Sequence, residues 1–232
     1  MRGSMNTTYI IGCGGIGSWL ATSLSMLIRP PHLLELVDGD KLTGENLSRQ
    51  LFDGNAIGIN KARALAWKLG ARIAGYHEGW FSEGMRSFDY GDWLIVCADN
   101  NPARKAALRV CDRDGCSAII AANETYSSEA YVYTYLWEDT ELDPRVYYPE
   151  INTDRAGDPR AAAAGCTGDA QRDNPQLVSA NFSAAALAQN LYVLWAMTKH
   201  DHETKSRLPY HYRANMASLE FFRCNQTEKG QA

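Results

Sequence analysis

Tyr9-Ile10-Ile11-Gly12-Cys13-Gly14-Gly15-Ile16-Gly17 is the stretch that decides the fold. An apolar run ends abruptly in four glycines spread over six positions. Asp38 follows 21 residues past Gly17, closing a second apolar run, Leu33-Leu34-Glu35-Leu36-Val37. Strand, glycine turn, helix, strand and acid, in that order, form a nucleotide-binding βαβ unit. Glycines let the backbone turn tightly and approach a phosphate without a Cβ in the way. The helix that follows presents free N–H groups and the positive end of its dipole. An acid at the end of the second strand can accept hydrogen bonds from ribose hydroxyls.

Working outward, residues 16–28 read as a helix with Ile16, Trp19, Leu20, Leu24 and Leu27 on one face, stopped by Pro30-Pro31. Lys61 to Leu69 read as a second helix, capped by Asn60 and ended by Gly70. Trp93 to Cys97 is a continuous apolar run, the mark of a strand covered on both faces. Asn101-Pro102 opens a helix bearing Arg104, Lys105, Arg109 and Arg113. Ser117 to Ala122 read as another buried strand, and Tyr131 to Trp137 as an antiparallel one. Residues 138–176 have no clean period and read as a long crossover loop. Leu177 to Met197 read as an Ala-rich buried helix, and His211 to Phe222 as a final strand. The fold class expected is α/β: one Rossmann-like domain over residues 1–232, its largely parallel sheet flanked by helices, with antiparallel strands toward the C-terminus. Met1-Arg2-Gly3-Ser4 ahead of Met5 reads as an added leader.

The chain has 232 residues, which suits one such domain. A net charge of −4 gives no basic footprint for nucleic acid or an anionic membrane. No signal peptide or membrane-length apolar run is visible, so a cytoplasmic protein is expected. For the six cysteines, the length, the large core and the cytoplasmic setting argue against a disulfide framework, and the lack of any Cys-x-x-Cys pair argues against a zinc site.

The chemistry-bearing residues follow in order: Asp38-Gly39-Asp40, Asn46-Leu47-Ser48-Arg49-Gln50, Gly58-Ile59-Asn60-Lys61 and Asp99-Asn100. A dinucleotide needs only the glycine loop and the helix dipole. A triphosphate with magnesium needs cations and a carboxylate for the metal as well. Arg49 and Lys61 can be those cations. Lys61, in the first turn of its helix, projects backward toward the phosphate region. Asp99 follows a strand end, where open α/β sheets place ligands.

This series resembles the ThiF/MoeB/HesA family of adenylyltransferases, the relatives of ubiquitin-activating enzymes. The likeness runs from Tyr9 to Arg104 without a missing motif and more loosely to Phe222. The segment Cys166 to Leu191 also resembles ThiF-type proteins of plasmid PRTRC systems. The resemblance implies binding of ATP and magnesium, with a carboxylate attacking the α-phosphate. The acceptor implied is the C-terminus of a small ubiquitin-like protein or a peptide. It implies a homodimer, with Gly12, Gly14, Gly15 and Gly17 at the phosphates and Asp38 and Asp40 beside the nucleotide. Asn46, Arg49 and Lys61 would contact the triphosphate, Gln50 would brace Arg49, and Asp99 would ligate magnesium. Cys166 would be the thiol that receives the acyl group. The other five cysteines read as packing residues.

Two family features are missing: paired zinc cysteines, and an N-terminal helix that supplies an arginine to the partner's site. The readings left open are a non-catalytic ThiF-like dimer that binds a ubiquitin-like or peptide partner, a nicotinamide oxidoreductase, and adenylation of a small-molecule or tRNA-linked carboxylate.

Overall fold

The computed structural model describes residues 6–153, 177–197, 208–215, 217–218 and 220–225. Its strands and helices alternate through the first half: β1 (Thr7–Ile11), α1 (Gly15–Leu27), β2 (Leu33–Val37), α2 (Lys61–Leu69), β3 (Gly75–His77), β4 (Trp93–Val96), α3 (Asn101–Asp114) and β5 (Ser117–Asn123). Then come β6 (Ser127–Thr134), the short helices α4 (Pro144–Tyr147) and α5 (Glu150–Thr153), the long helix α6 (Val178–Tyr192), β7 (Pro209–Asn215) and β8 (Glu220–Asn225). A π-helical turn, Val193–Met197, extends α6.

All eight strands form one sheet in the order β3-β2-β1-β4-β5-β6-β7-β8. The first five are parallel, and β6, β7 and β8 join antiparallel. This is the α/β architecture expected from the sequence. The chain order reverses between β1 and β4, and such a switch point opens a crevice at the carboxyl ends of the strands.

Every residue of β1 and of β4 is buried. Period-two alternation sends their side chains into two separate cores. Ile10, Leu36, Ile95 and Ile119 pack with α1, α2 and α6. Tyr9, Ile11, Leu94, Val96 and Ile120 pack with α3 on the other face. Caps fix where the helices start. Asn60 accepts from Arg63 N at 3.1 Å, and Asn100 from Ala103 N at 2.9 Å. Gly115, at φ 74°, ends α3 in the left-handed conformation that glycine adopts without strain.

The structure departs from the expected elements in four places, of which the edge strand β3, with no counterpart in the sequence reading, is the first. Strand β6 starts earlier than expected, at Ser127, and Tyr135–Trp137 is a 3-10 turn, because pairing with β5 sets its limits. The final strand is a hairpin of two. Asn215 Oδ1 accepts from Ala217 N and Ser218 N at 3.0 and 3.3 Å and turns the chain. Residues 138–153 hold two short helices rather than open loop. Among the described residues no helix is long and apolar enough to cross a membrane.

Candidate functional site

The glycine turn is wedged between strand ends. Gly12 N donates to Val37 O at 2.9 Å, and Cys97 N donates to Ile11 O at 2.8 Å. Gly12 sits at φ 90°, and a Cβ there would fall 2.8 Å from Ala98 N. At Gly17 a Cβ would fall 1.8 Å from the Gly12 carbonyl oxygen. No side chain but hydrogen fits at either position, so the close packing of β1, α1 and β4 requires both glycines. Helix α1 has no side-chain cap and no acid in its first turn. Its leading N–H groups and dipole therefore stay available to an anion.

Asp38 closes this turn from the β2 side. Its carboxylate accepts from Cys13 N at 2.6 Å and from Asp40 N at 2.7 Å. Burial is the largest influence on it and raises its pKa, against the pull of Lys61 and the two N–H donors. Asn60 Nδ2 donates to the Asp38 carbonyl at 2.8 Å, tying the α2 start to the same strand end. Lys61 is buried and pairs with Asp40 at 2.9 Å. Asp40, its partner, donates its own N–H to the Asp38 carboxylate that closes the turn, so the ammonium stands next to that strand end. Trp80 packs on Gly39, where a Cβ would strike the indole at 2.4 Å, and the indole is partly open to solvent. It gives the Asp38 end of the crevice an aromatic wall.

Arg49 and Gln50 approach from the other flank. Asn46 Oδ1 accepts from Thr43 N at 3.1 Å and caps the 3-10 turn Gly44–Ser48. The Asn46 carbonyl accepts from both Arg49 N and Gln50 N. Gln50 is buried with its amide 3.7 Å from the place of a Gly14 Cβ. Arg49 is half-buried. Asp99 is exposed directly after the Ala98 that abuts Gly12. The glycine turn, Asp38, Asp40, Lys61, Gln50 and the backbone of Arg49 thus surround one end of α1, and Asp99 borders it. Cys166 lies outside the described residues. Among them, no group of three or more His, Cys, Asp or Glu side chains stands ready to hold a metal.

On the β5 side, Val96 is registered against Ile120, and β5 runs on to Asn123 after β4 has ended. Asn123 lines a polar pocket of about 280 Å³ with Arg104, Ser127, Glu129, Tyr148 and Arg213. Burial works to raise the Glu129 carboxyl. Hydrogen bonds from His211 and Tyr148, with the charges of His211 and Arg213, outweigh it and hold the carboxyl below its usual range. Burial pushes the Cys13, Cys97 and Cys111 thiols well up, which leaves them protonated and suited to packing.

One residue of this site escapes a reading of local motifs. Asn181, on α6, is fully buried, and its side chain fills the space where a Gly15 Cβ would be. Its signal in the sequence is a lone polar residue on a stripe completed by Ala184, Ala185 and Ala188.

The family model described as the ThiF family matches residues 4–231. Similar solved structures include Escherichia coli MccB, at TM-score 0.67 and 17% identity over 95% of this chain and 62% of that one. MccB crystallised with ATP gives 0.64 and 16% over 95% and 64%. PaaA gives 0.61 and 14% over 95% and 64%. The chain thus spans less than two thirds of the length of these proteins. No curated protein matches the sequence significantly.

Proposed function

The chain belongs to the ThiF family, and we propose on that premise that it is an ATP-dependent adenylyltransferase that activates a carboxylate, most simply the C-terminus of a peptide or small ubiquitin-like protein. One observation carries the reading: Lys61, Asp38 and the Arg49–Gln50 segment converge on a glycine turn at the start of α1, with Asp99 at its border. MccB, similar in fold, has been crystallised with ATP and, as a microcin C7 biosynthetic enzyme, with N-formylated MccA. Those ligands support a nucleotide and a peptide as substrates here.

In this reading Asp38 accepts the ribose hydroxyls, and the N–H groups at the α1 start meet the phosphates. Gly14 lets the triphosphate approach the backbone, and Gly12, Gly15 and Gly17, whose Cβ positions are taken by Ala98, Asn181 and the Gly12 carbonyl, keep the turn tight beneath it. Asn46 and Gln50 border it. Arg49 and Lys61 take up the charge that grows on the leaving pyrophosphate. Lys61 begins paired with Asp40, which holds its stem in place until the phosphates compete for the ammonium. Asp99 would hold magnesium, which spreads the charge of the triphosphate when bound. A single carboxylate suits an ion that takes most of its ligands from phosphate and water. The acceptor carboxylate forms an O–P bond at the α-phosphorus. The bond to the bridging oxygen breaks, and pyrophosphate leaves with its electron pair. Cys166 is the thiolate that would then displace AMP from the acyl group, forming a thioester. A homodimer completes the proposal.

Carboxylate-dependent exchange of labelled pyrophosphate into ATP tests it, with amidated peptides as controls. Arg49→Ala and Asp99→Ala should each lower exchange by about 10²–10³. Exchange at the wild-type rate in both variants would remove these roles.

A further inference from the structure

We infer that Asn181 is a positioning residue for the triphosphate, acting through Arg49; the inference rests on the adenylation reading above. Asn181 is fully buried, yet within the described residues its Oδ1 has no hydrogen-bond partner. Its Nδ2 donates to the Arg49 carbonyl at 3.4 Å, across 132 residues of chain. Its amide lies where a Gly15 Cβ would stand, at 2.6 Å from both Nδ2 and Oδ1. One side chain therefore touches both the first residue of α1 and the peptide of the proposed phosphate-binding arginine.

The Arg49 segment is otherwise held by backbone and by α1. Arg49 N donates to Asn46 O at 3.1 Å, and Leu51 N donates to Ser18 Oγ at 3.0 Å. Asn181 supplies a link from α6, on the opposite side of the segment from Asn46. The same peptide is held at its other end by Gln50 N, which donates to Asn46 O at 2.9 Å, and without Asn181 its carbonyl end loses its tie to α6. The direction in which the side chain leaves the backbone is then less defined.

A purely structural role does not account for an amide here. Helix α6 packs with Ala180, Ala184, Ala185 and Ala188 around the position, so alanine is readily accommodated on this surface. A buried amide with one unpartnered atom carries a desolvation cost that alanine would avoid. The orphaned atoms also cluster. Among the described residues Arg49 Nε and Gln50 Oε1 are buried and unpartnered as well, on the segment that Asn181 touches. The Arg49 Nε–H is a donor that a bound anion would satisfy, and the amide oxygens of Gln50 and Asn181 are acceptors for the water that hydrates such an anion. Because Asn181 acts at the phosphate end, its loss should be felt by a triphosphate and not by a monophosphate.

The test is calorimetric binding of ATP and of AMP, each with magnesium, to the full chain. Asn181→Ala should weaken ATP by about tenfold, the worth of one well-placed hydrogen bond relayed to a charged contact, and change AMP by less than twofold. Asn181→Asp keeps the shape and the acceptor but loses the donor to Arg49, and should weaken ATP at least as much. It serves if the alanine variant fails to fold, which thermal melting reveals. Asn181→Ala added to Arg49→Ala should cost nothing further, since the one acts through the other. Equal weakening of ATP and AMP, unchanged ATP affinity, or additive losses in the double variant would overturn the positioning role alone. Failure of the wild-type chain to bind ATP would overturn the adenylation reading, and this inference with it.

Discussion

The two halves of the sheet are stabilised in different ways. In β1, β2, β4 and β5 the strands are short, apolar and covered on both faces, and hydrophobic burial holds them. The antiparallel extension leans on polar networks. Arg145 on α4 reaches Asp112 at 2.6 Å, Asp143 at 2.7 Å and the Tyr133 hydroxyl at 2.7 Å. Glu129 gathers Tyr148 and His211 in the same way. At the outer edge Phe221 and Phe222 are exposed. Non-directional burial builds a rigid platform where strand ends must be placed within an ångström. Directional bonds fasten the antiparallel extension.

The comparison breaks first in the parallel half. Leu36 is fully buried in the core shared with α1 and α2. Leu36→Ala should destabilise the fold by about 2–5 kcal/mol, read as a lower denaturant midpoint. An effect below 1 kcal/mol would mean that this half is not the platform described. Next comes the latch on α4. Arg145→Ala leaves Asp112, Asp143 and Tyr133 partly buried without their cation and should cost about 1–3 kcal/mol by the same measurement. The smallest effect is a matter of pH. Asp38, raised mainly by burial, takes up its proton at a higher pH than an exposed aspartate. As pH falls through that raised value, the carboxylate proposed to bind ribose is lost. Adenosine-nucleotide affinity should then drop by about tenfold, the worth of a charge-assisted hydrogen bond. Asp38→Asn should start weaker and stay flat over the same range in calorimetric titrations, and a parallel slope in both proteins would remove Asp38 from the site.

Much of the parallel half was legible because local pattern and tertiary role agree there. Trp93 to Val96 is apolar because both faces are covered, and Asn60 and Asn100 cap the helices that follow them. Strand β3 was not legible. Three residues at the sheet edge, two of them exposed, leave no period to read. The closing hairpin was hidden because its turn is made by the Asn215 side chain and not by glycine or proline. At the site, the glycine turn and Asp38 are readable from spacing. The pairing of Asp40 with Lys61, 21 residues on, depends on how α2 docks against the end of β2. Asn181 depends on α6 crossing α1, and no local window contains both helices.

The bond between the Thr8 and Tyr192 hydroxyls, 2.7 Å long and spanning 184 residues, has a consequence for biosynthesis. At ribosomal rates of about 5–20 residues per second, the first strand waits roughly 10–40 s for the helix that seals it. During that interval Ile10, on the face that α6 covers, lacks part of its apolar cover on the nascent polypeptide, whereas Tyr9 and Ile11 face α3, which emerges earlier. The strand that leads into the glycine turn therefore gains this contact only after the following 184 residues have left the ribosome.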